Sequence, residues 1–203
     1  ALDMDSSYVA ARRNLAAVYS KGGRLADAAR EYERALSLQS ADTNTRFNLG
    51  LVHVHLGQYD RAKVLLNEVI KENPQHTRAL YALGEALLNE GDDGEARSYF
   101  ERTLALDTTY AQAHVQIARI DLRANELAAA ADRLRRTILI EPGIAESFRL
   151  LGQIHLRQGR ESAGEKALEA YEKVKSFEKE IDYFQERLRS DPDDGEAHYN
   201  LGY

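Results

Sequence analysis

The sequence predicts an all-α solenoid of antiparallel helix pairs, and three observations carry that prediction. Gly23, Gly57, Gly91, Asn125 and Gly159 stand 34 residues apart, and a fixed period in this range is the signature of stacked repeats. Between successive ladder positions lie two stretches whose apolar residues recur at helical spacing. Two columns of small residues keep the same phase: Ala16, Gly50, Gly84, Ala118 and Gly152 in the first stretch, and Ala28, Ala62, Ala96, Ala130 and Gly164 in the second.

Rows of 34 residues starting at Val9 run 9–42, 43–76, 77–110 and 111–144 without a gap. The first helix of each row carries the apolar column Leu15, Leu49, Leu83, Ile117 and Leu151, followed at once by the small column. A glycine inside a helix costs about 1 kcal/mol relative to Ala. Three in one column therefore predict a second helix crossing too closely for a larger side chain. The ladder itself marks the turn between the paired helices, where the backbone must turn left-handed. Asn125 fits there because Asn tolerates that conformation best after Gly. The second helix opens on its own small column and places Tyr32, Leu66, Phe100, Leu134 and Leu168 four residues later, on the same face. Pro74 and Pro142, with Ser40 and Thr108 at the equivalent places, predict the start of the next helix, Pro in its first turn and Ser or Thr as its cap.

The period breaks in the fifth row. It begins at Ala145, yet the Asp191-Pro192 turn arrives about sixteen residues late for a 34-residue repeat. No Gly or Pro interrupts 166–190, while Ala167, Tyr171, Val174, Ile181, Phe184 and Leu188 recur at helical steps. The row 145–194 is thus expected to contain one helix of about 27 residues, about 40 Å long, or two helices divided near Lys175–Phe177. The spacing partly matches a heptad seam, so 165–190 also offers a surface for self-association. Residues 1–8 align with the end of a preceding repeat and 195–203 with the start of a further one. Repeat arrays end in polar capping elements, so the chain reads as a fragment of a longer array.

At these positions the chain resembles the tetratricopeptide repeat family, whose pattern is aromatic-x2-Leu-Gly-x2-Tyr, then Ala-x3-Phe, then Pro. The third row shows it as Leu80, Leu83, Gly84, Leu87, Ala96, Phe100 and Thr108. No row has Trp at the first place, and Asp121 occupies a column that is elsewhere aromatic or apolar, a departure that bears on packing in the fourth row. The resemblance implies a right-handed superhelical α-solenoid whose first helices line a groove for peptides or partner segments.

Carried over position by position, the resemblance implies a groove set of Arg13, Lys21, Asn44, Phe47, Leu51, His55, Arg78, Tyr81, Glu85, Gln112, Arg119, Arg123, Arg149, Gln153 and Arg157, flanked by Val54, Leu88, Leu122, Glu146 and Leu156. The full set of equivalent places holds seven basic and two acidic residues, a net +5 within a chain of −6. Such segregation predicts a protein or peptide ligand of acidic character, steered by charge and held by Arg forks. Phe47, Leu51, Val54, Tyr81 and Leu88 would serve as apolar anchors. The carboxylate clamp of some family members is incomplete: Arg13, Asn48 and Arg78 match in chemistry, but Ala17 and Ala82 replace the polar partners. The Asn ladder of a branch fused to a sugar transferase is broken as well, since Ala82, Gln116 and Leu150 interrupt Asn14, Asn48 and Asn200.

Composition limits the remaining possibilities. With 43% apolar and 30% charged residues the chain is not of disordered type. Net acidity argues against nucleic acid as a partner. No stretch approaches the roughly 18 consecutive apolar residues of a membrane helix. The absence of cysteine removes disulfides and thiolate chemistry; it fits a cytosolic protein and allows a periplasmic one. Metalloprotease, nucleophile-elbow and phosphate-loop motifs are missing, so no enzyme activity and no cofactor are expected of these residues. His53 and His155 share an inward-facing column and read as core; the acids at Asp92-Asp93 and Asp191–Asp194 read as helix caps. The chain is expected to be an interaction scaffold or adaptor. The alternative is a substrate-recruiting arm of a larger enzyme such as a sugar transferase.

Overall fold

The computed structural model describes residues 2–39 and 42–202, with side chains from residue 8 onward; Ser40 lies outside the described residues. Among these, the secondary structure is helical throughout. The helices are α1 (Leu2–Lys21), α2 (Leu25–Leu38), α3 (Thr43–His55), α4 (Tyr59–Glu72), α5 (Thr77–Glu90), α6 (Asp93–Leu106), α7 (Ala111–Arg123), α8 (Leu127–Ile140), α9 (Ala145–Arg157), α10 (Glu161–Ser190) and α11 (Gly195–Leu201). They fall into two compact units, residues 1–113 and 114–203.

In the first unit α1 packs on α2, α3 on α4 and α5 on α6, while α2–α3 and α4–α5 contacts join successive pairs. The glycine columns explain how closely paired helices cross. A Cβ on Gly84 would lie 2.7 Å from the Phe100 ring, and one on Gly50 would lie 3.0 Å from Leu66. Both intruding residues belong to the aromatic-or-Leu column of the second helix, and both are fully buried. Around the first pairs, Ala16, Ala28, Ala29, Tyr32, Leu49 and Val52 form a core edged by Tyr19, Leu25, Leu36, Leu56 and Leu65. Leu15 departs from its otherwise buried column at 41% exposure, because the main neighbour of α1 is α2 alone. With no Gly or Pro before Gly22, α1 runs unbroken from Leu2, where later rows carry a turn.

In the second unit α8 packs on α9, α9 on α10, and α10 on α11. Its core gathers Val115, Ala118, Ala130, Ala131, Leu134, Leu150, Leu151 and Ile154. Gly152 again makes room for a Leu, here Leu168, whose Cγ would lie 2.9 Å from an added Cβ. Asp121 is fully buried in the apolar column, and its carboxylate accepts a 3.0 Å bond from Arg133 Nε on α8. A charge can occupy that place because the neighbouring helix supplies the counter-charge.

The turn ladder adopts the expected conformation: φ is +73° at Gly23, +94° at Gly91 and +60° at Asn125. Asn125 is the non-glycine residue of positive φ among the described residues. The prolines differ from expectation. Pro74 and Pro142 lie in the turns ahead of α5 and α9, not in the first turns of those helices. Where a side chain does cap, it comes from later in the turn: Asp42 accepts from Thr45 N at 3.1 Å, His76 from Ala79 N at 3.1 Å, and Asp194 from Ala197 N at 3.0 Å.

Helix α10 continues for 30 residues, about 45 Å at 1.5 Å per residue, with no division near Lys175–Phe177. Its partner α9 has 13 residues and so covers only the first part. Beyond it, Phe177 is 63% and Ile181 46% exposed, until Phe184 is buried again near α11. Tyr183 is exposed beside it.

Candidate functional site

The anticipated groove residues have different environments in the two units. In the first unit two rings, Phe47 and Tyr81, are set into the face formed by the first helices, and the exposed residues around them are polar. Phe47 is buried, with the His76 ring 4.7 Å from its own and the Arg78 guanidinium 5.0 Å from its centroid. Tyr81 is half-buried between Tyr110, at 5.0 Å, and Phe100, at 5.5 Å, and its hydroxyl donates to Glu85 Oε1 at 2.9 Å. Lys21, Asn44, His55, Arg78 and Gln112 are exposed, and Leu51 and Glu85 are half-buried. Arg13 is drawn out of the set: its Nη1 donates to Asp42 at 2.7 Å.

These contacts reveal a column that sequence reasoning missed. Asp42, His76 and Tyr110 each follow by 29 residues the first-helix residue they touch, Arg13, Phe47 and Tyr81. Val115 and Ile144 repeat the spacing within one apolar cluster. The residue just before each new first helix thus latches onto the equivalent helix of the preceding repeat. The 34-residue phase was the available signal, but the four latch residues share no chemistry. Burial alone would raise the Asp42 carboxyl; the Thr45 hydroxyl and amide, then Arg13, outweigh it and hold Asp42 below the usual carboxylate range. Burial raises the Tyr110 phenol.

In the second unit the same face is basic. Arg119, Arg123 and Arg157 converge with Gln153, Leu122, Asn125 and Leu150 on one cleft of about 640 Å³ between α7 and α9. None of these lining residues is acidic. Five of the seven, Arg119, Leu122, Arg123, Gln153 and Arg157, were anticipated in or beside the groove, while Leu150 and Asn125 were not. The nearby acid, Glu146, is engaged twice: Arg119 Nη2 donates to it at 2.8 Å, and Arg149 Nε at 2.7 Å. Burial would raise the Glu146 carboxyl, but Arg149 and then Arg119 outweigh it and hold it low. Arg149 therefore serves to fix Glu146 and does not line the cleft. Leu122 and Leu150 give the cleft an apolar part, and Gln153 and Asn125 supply amides that can pair with a bound backbone.

His155 is half-buried rather than core. Burial, then Arg135 and Arg160, lower its pKa. His53 is buried, with Nδ1 2.8 Å from Gln58 Oε1, as its column predicts.

Solved structures of MamA superpose with a TM-score of 0.68 at 21% identity, covering 81% of this chain and 96% of that one. The MamA fragment of Desulfovibrio magneticus RS-1 gives the same score and identity over 85% and 96%. YrrB, described as a TPR protein with an unusual peptide-binding site, covers 95% of this chain and 91% of its own, with a TM-score of 0.60 at 19% identity. At such identities the likeness concerns the fold. Human protein O-mannosyl-transferase TMTC3 is 26% identical over 111 residues, which make up 54% of this chain and only 12% of that protein. Sequence profiles of the tetratricopeptide repeat match residues 9–34, 47–111 and 115–179. These matches account for most of the sequence, and with the helix pairs and left-handed turn ladder they establish that the chain belongs to the tetratricopeptide repeat family.

Proposed function

We propose that the chain is a protein-interaction scaffold that holds an acidic peptide segment against the first-helix face of its repeats. The observation that carries this reading is the cleft lined by Arg119, Arg123 and Arg157 with no acidic residue in its wall. In a chain of net charge −6, such a concentration attracts carboxylates selectively and offers them planar, bidentate donors. Taken by itself, the first-helix face of the first unit offers half-buried Leu51 and Tyr81 as apolar contact. YrrB supports a peptide as the ligand class through its own described site.

A labelled Glu-rich peptide titrated by fluorescence anisotropy tests this. The double variant Arg123→Glu with Arg157→Glu should bind at least tenfold more weakly while its helical circular dichroism stays unchanged. Equal binding by the two proteins would refute the reading. The likeness to TMTC3 favours one cellular setting in particular, a recruiting arm that presents acceptor polypeptides to a larger sugar transferase. In that setting acceptor segments would bind the isolated chain, and acceptors that bypass it would refute the assignment.

Self-association through α10 is a second interaction we infer, with another copy of the chain as the occupant. Val174, Phe177 and Ile181 follow steps of three and four along α10, ahead of Phe184, which is buried within the chain. Lys173 and Glu180 flank this seam one heptad apart. An antiparallel pairing about Val174–Phe177 therefore sets Lys173 of each copy opposite Glu180 of the other. Sedimentation equilibrium should show a concentration-dependent dimer that Phe177→Ser with Ile181→Ser abolishes. A wild-type monomer at high concentration would overturn it.

A further inference from the structure

We propose that the outer face of α1 docks an amphipathic helix of a partner protein, one whose apolar stripe matches that of α2. Tyr8, Ala11, Leu15 and Val18 follow steps of three, four and three along α1 and therefore share one face. All four are exposed, Leu15 at 41% and Val18 at 64%. Apolar residues scattered singly over a surface are ordinary, whereas a contiguous apolar stripe is the form an interaction surface takes. The stripe is not needed to hold α1 in place. Val9 and Ala16 bury a different side of the helix, and Arg12 and Arg13 tie it to Glu31 at 2.5 Å and to Asp42 at 2.7 Å.

The repeat itself supplies the template for the occupant. One row on, α3 carries Thr45, Leu49 and Val52 at the places of Ala11, Leu15 and Val18, so the Leu and the Val recur unchanged. There they are 3% and 2% exposed, because α2 packs on α3 and brings Ala28, Ala29, Tyr32 and Leu36 into one cluster with them. The same places are buried in α5, α7 and α9. In those rows a short turn ahead of the first helix lets the preceding second helix lie back along this face. Residues 2–8 are helical instead, so the run leading into α1 continues along the helix axis and leaves the stripe bare. A helix arriving from another molecule can cover it. Leu15 and Val18 reproduce the surface that α2 meets on α3, so the matching occupant presents what α2 presents there. That is a small residue, an aromatic and a Leu at steps of three and four, as in Ala29, Tyr32 and Leu36, the anchor spacing of a helix laid against an apolar surface.

A labelled peptide with the sequence of residues 24–39, which contain α2, serves as the probe. An i,i+4 lactam on its polar face offsets the marginal helicity of so short a segment. Titrated with the whole chain, the peptide should give a saturable rise in fluorescence anisotropy. Leu15→Arg with Val18→Arg should weaken that binding by about tenfold or more, with the helical circular dichroism of the chain unchanged. A peptide carrying Ala29→Glu and Leu36→Glu should lose the binding altogether. No saturable binding of the unaltered peptide would overturn the proposal. Equal binding to wild type and double variant would overturn it too, because the peptide would then sit elsewhere, as by exchange with α2 on α3. Sedimentation equilibrium separates the remaining occupant: if Leu15→Arg with Val18→Arg reduces self-association of the chain, the face belongs to a second copy and the partner helix is refuted.

Discussion

The substitution Gly84→Ala isolates the packing rule on which the helix pairs depend. A glycine-to-alanine change inside a helix ordinarily gains about 1 kcal/mol from backbone entropy. At Gly84 the new Cβ would lie 2.7 Å from Cε1, 2.9 Å from Cδ1 and 3.0 Å from Cζ of Phe100. Phe100 is fully buried, so its rigid ring can yield only by moving the helix that carries it. Forced overpacking of this kind costs about 1–3 kcal/mol; a rigid, fully buried ring puts this site in the upper part of that range, about 2–3 kcal/mol, and the balance is a net loss of about 1–2 kcal/mol. Gly94→Ala is the control: it lies in the first turn of α6 with nothing within 4 Å of the added carbon, and should gain about 0.5 kcal/mol. Urea melts followed by circular dichroism at 222 nm should therefore shift in opposite directions for the two variants. Phe100→Leu should be less costly in the Gly84→Ala background than in wild type, with a coupling of about 1 kcal/mol. A Gly84→Ala midpoint at or above that of wild type would refute the close-crossing account.

Two further outcomes follow from the buried charges. Because Asp42 is held below its ordinary pKa, its contribution is present above about pH 4 and lost as pH falls through the folded value. Asp42→Asn keeps the cap acceptor but not the charge, so it should be about 1 kcal/mol less stable than wild type at pH 6, and the gap should shrink as the pH is lowered through the folded value; a gap that widens toward acid would contradict the latch. Removing Arg133 alone takes one counter-charge from the buried Asp121 and should cost about 2 kcal/mol, whereas Asp121→Leu with Arg133→Leu should restore most of that loss. Thermal melts of the single and double variants decide this, and equal losses in both would rule it out.

The sequence disclosed the periodic features of the fold because they arise from local causes. Gly and Asn at one turn position, and small residues wherever a Leu or Phe ring crosses, repeat with the same chemistry in each row. The latch defeated sequence reading for the opposite reason. An ion pair, an imidazole on a ring and two phenols do the same job at Asp42, His76 and Tyr110, and Ile144 at the equivalent place joins an apolar cluster, so no residue type recurs. Asp121 stood out as a misfit in its column, but its partner Arg133 lies on the following helix, where a charge reads as ordinary surface. Charge counting likewise anticipated a basic face and could not show pairing: Arg13 is bonded to Asp42, and both Arg119 and Arg149 are bonded to Glu146. The length of α10 was legible in the absence of Gly and Pro, whereas the exposure of Phe177 and Ile181 depended on where α9 stops.

Site-specific photo-cross-linking tests the central claim most directly. A benzophenone side chain at position 153, in the wall of the α7–α9 cleft, should capture a bound Glu-rich peptide, and the yield should fall when Arg123 and Arg157 are reversed in charge. The same group at position 139, where Leu139 is 85% exposed on α8, should capture none. Capture at position 139 with none at position 153 would contradict recognition on the first-helix face.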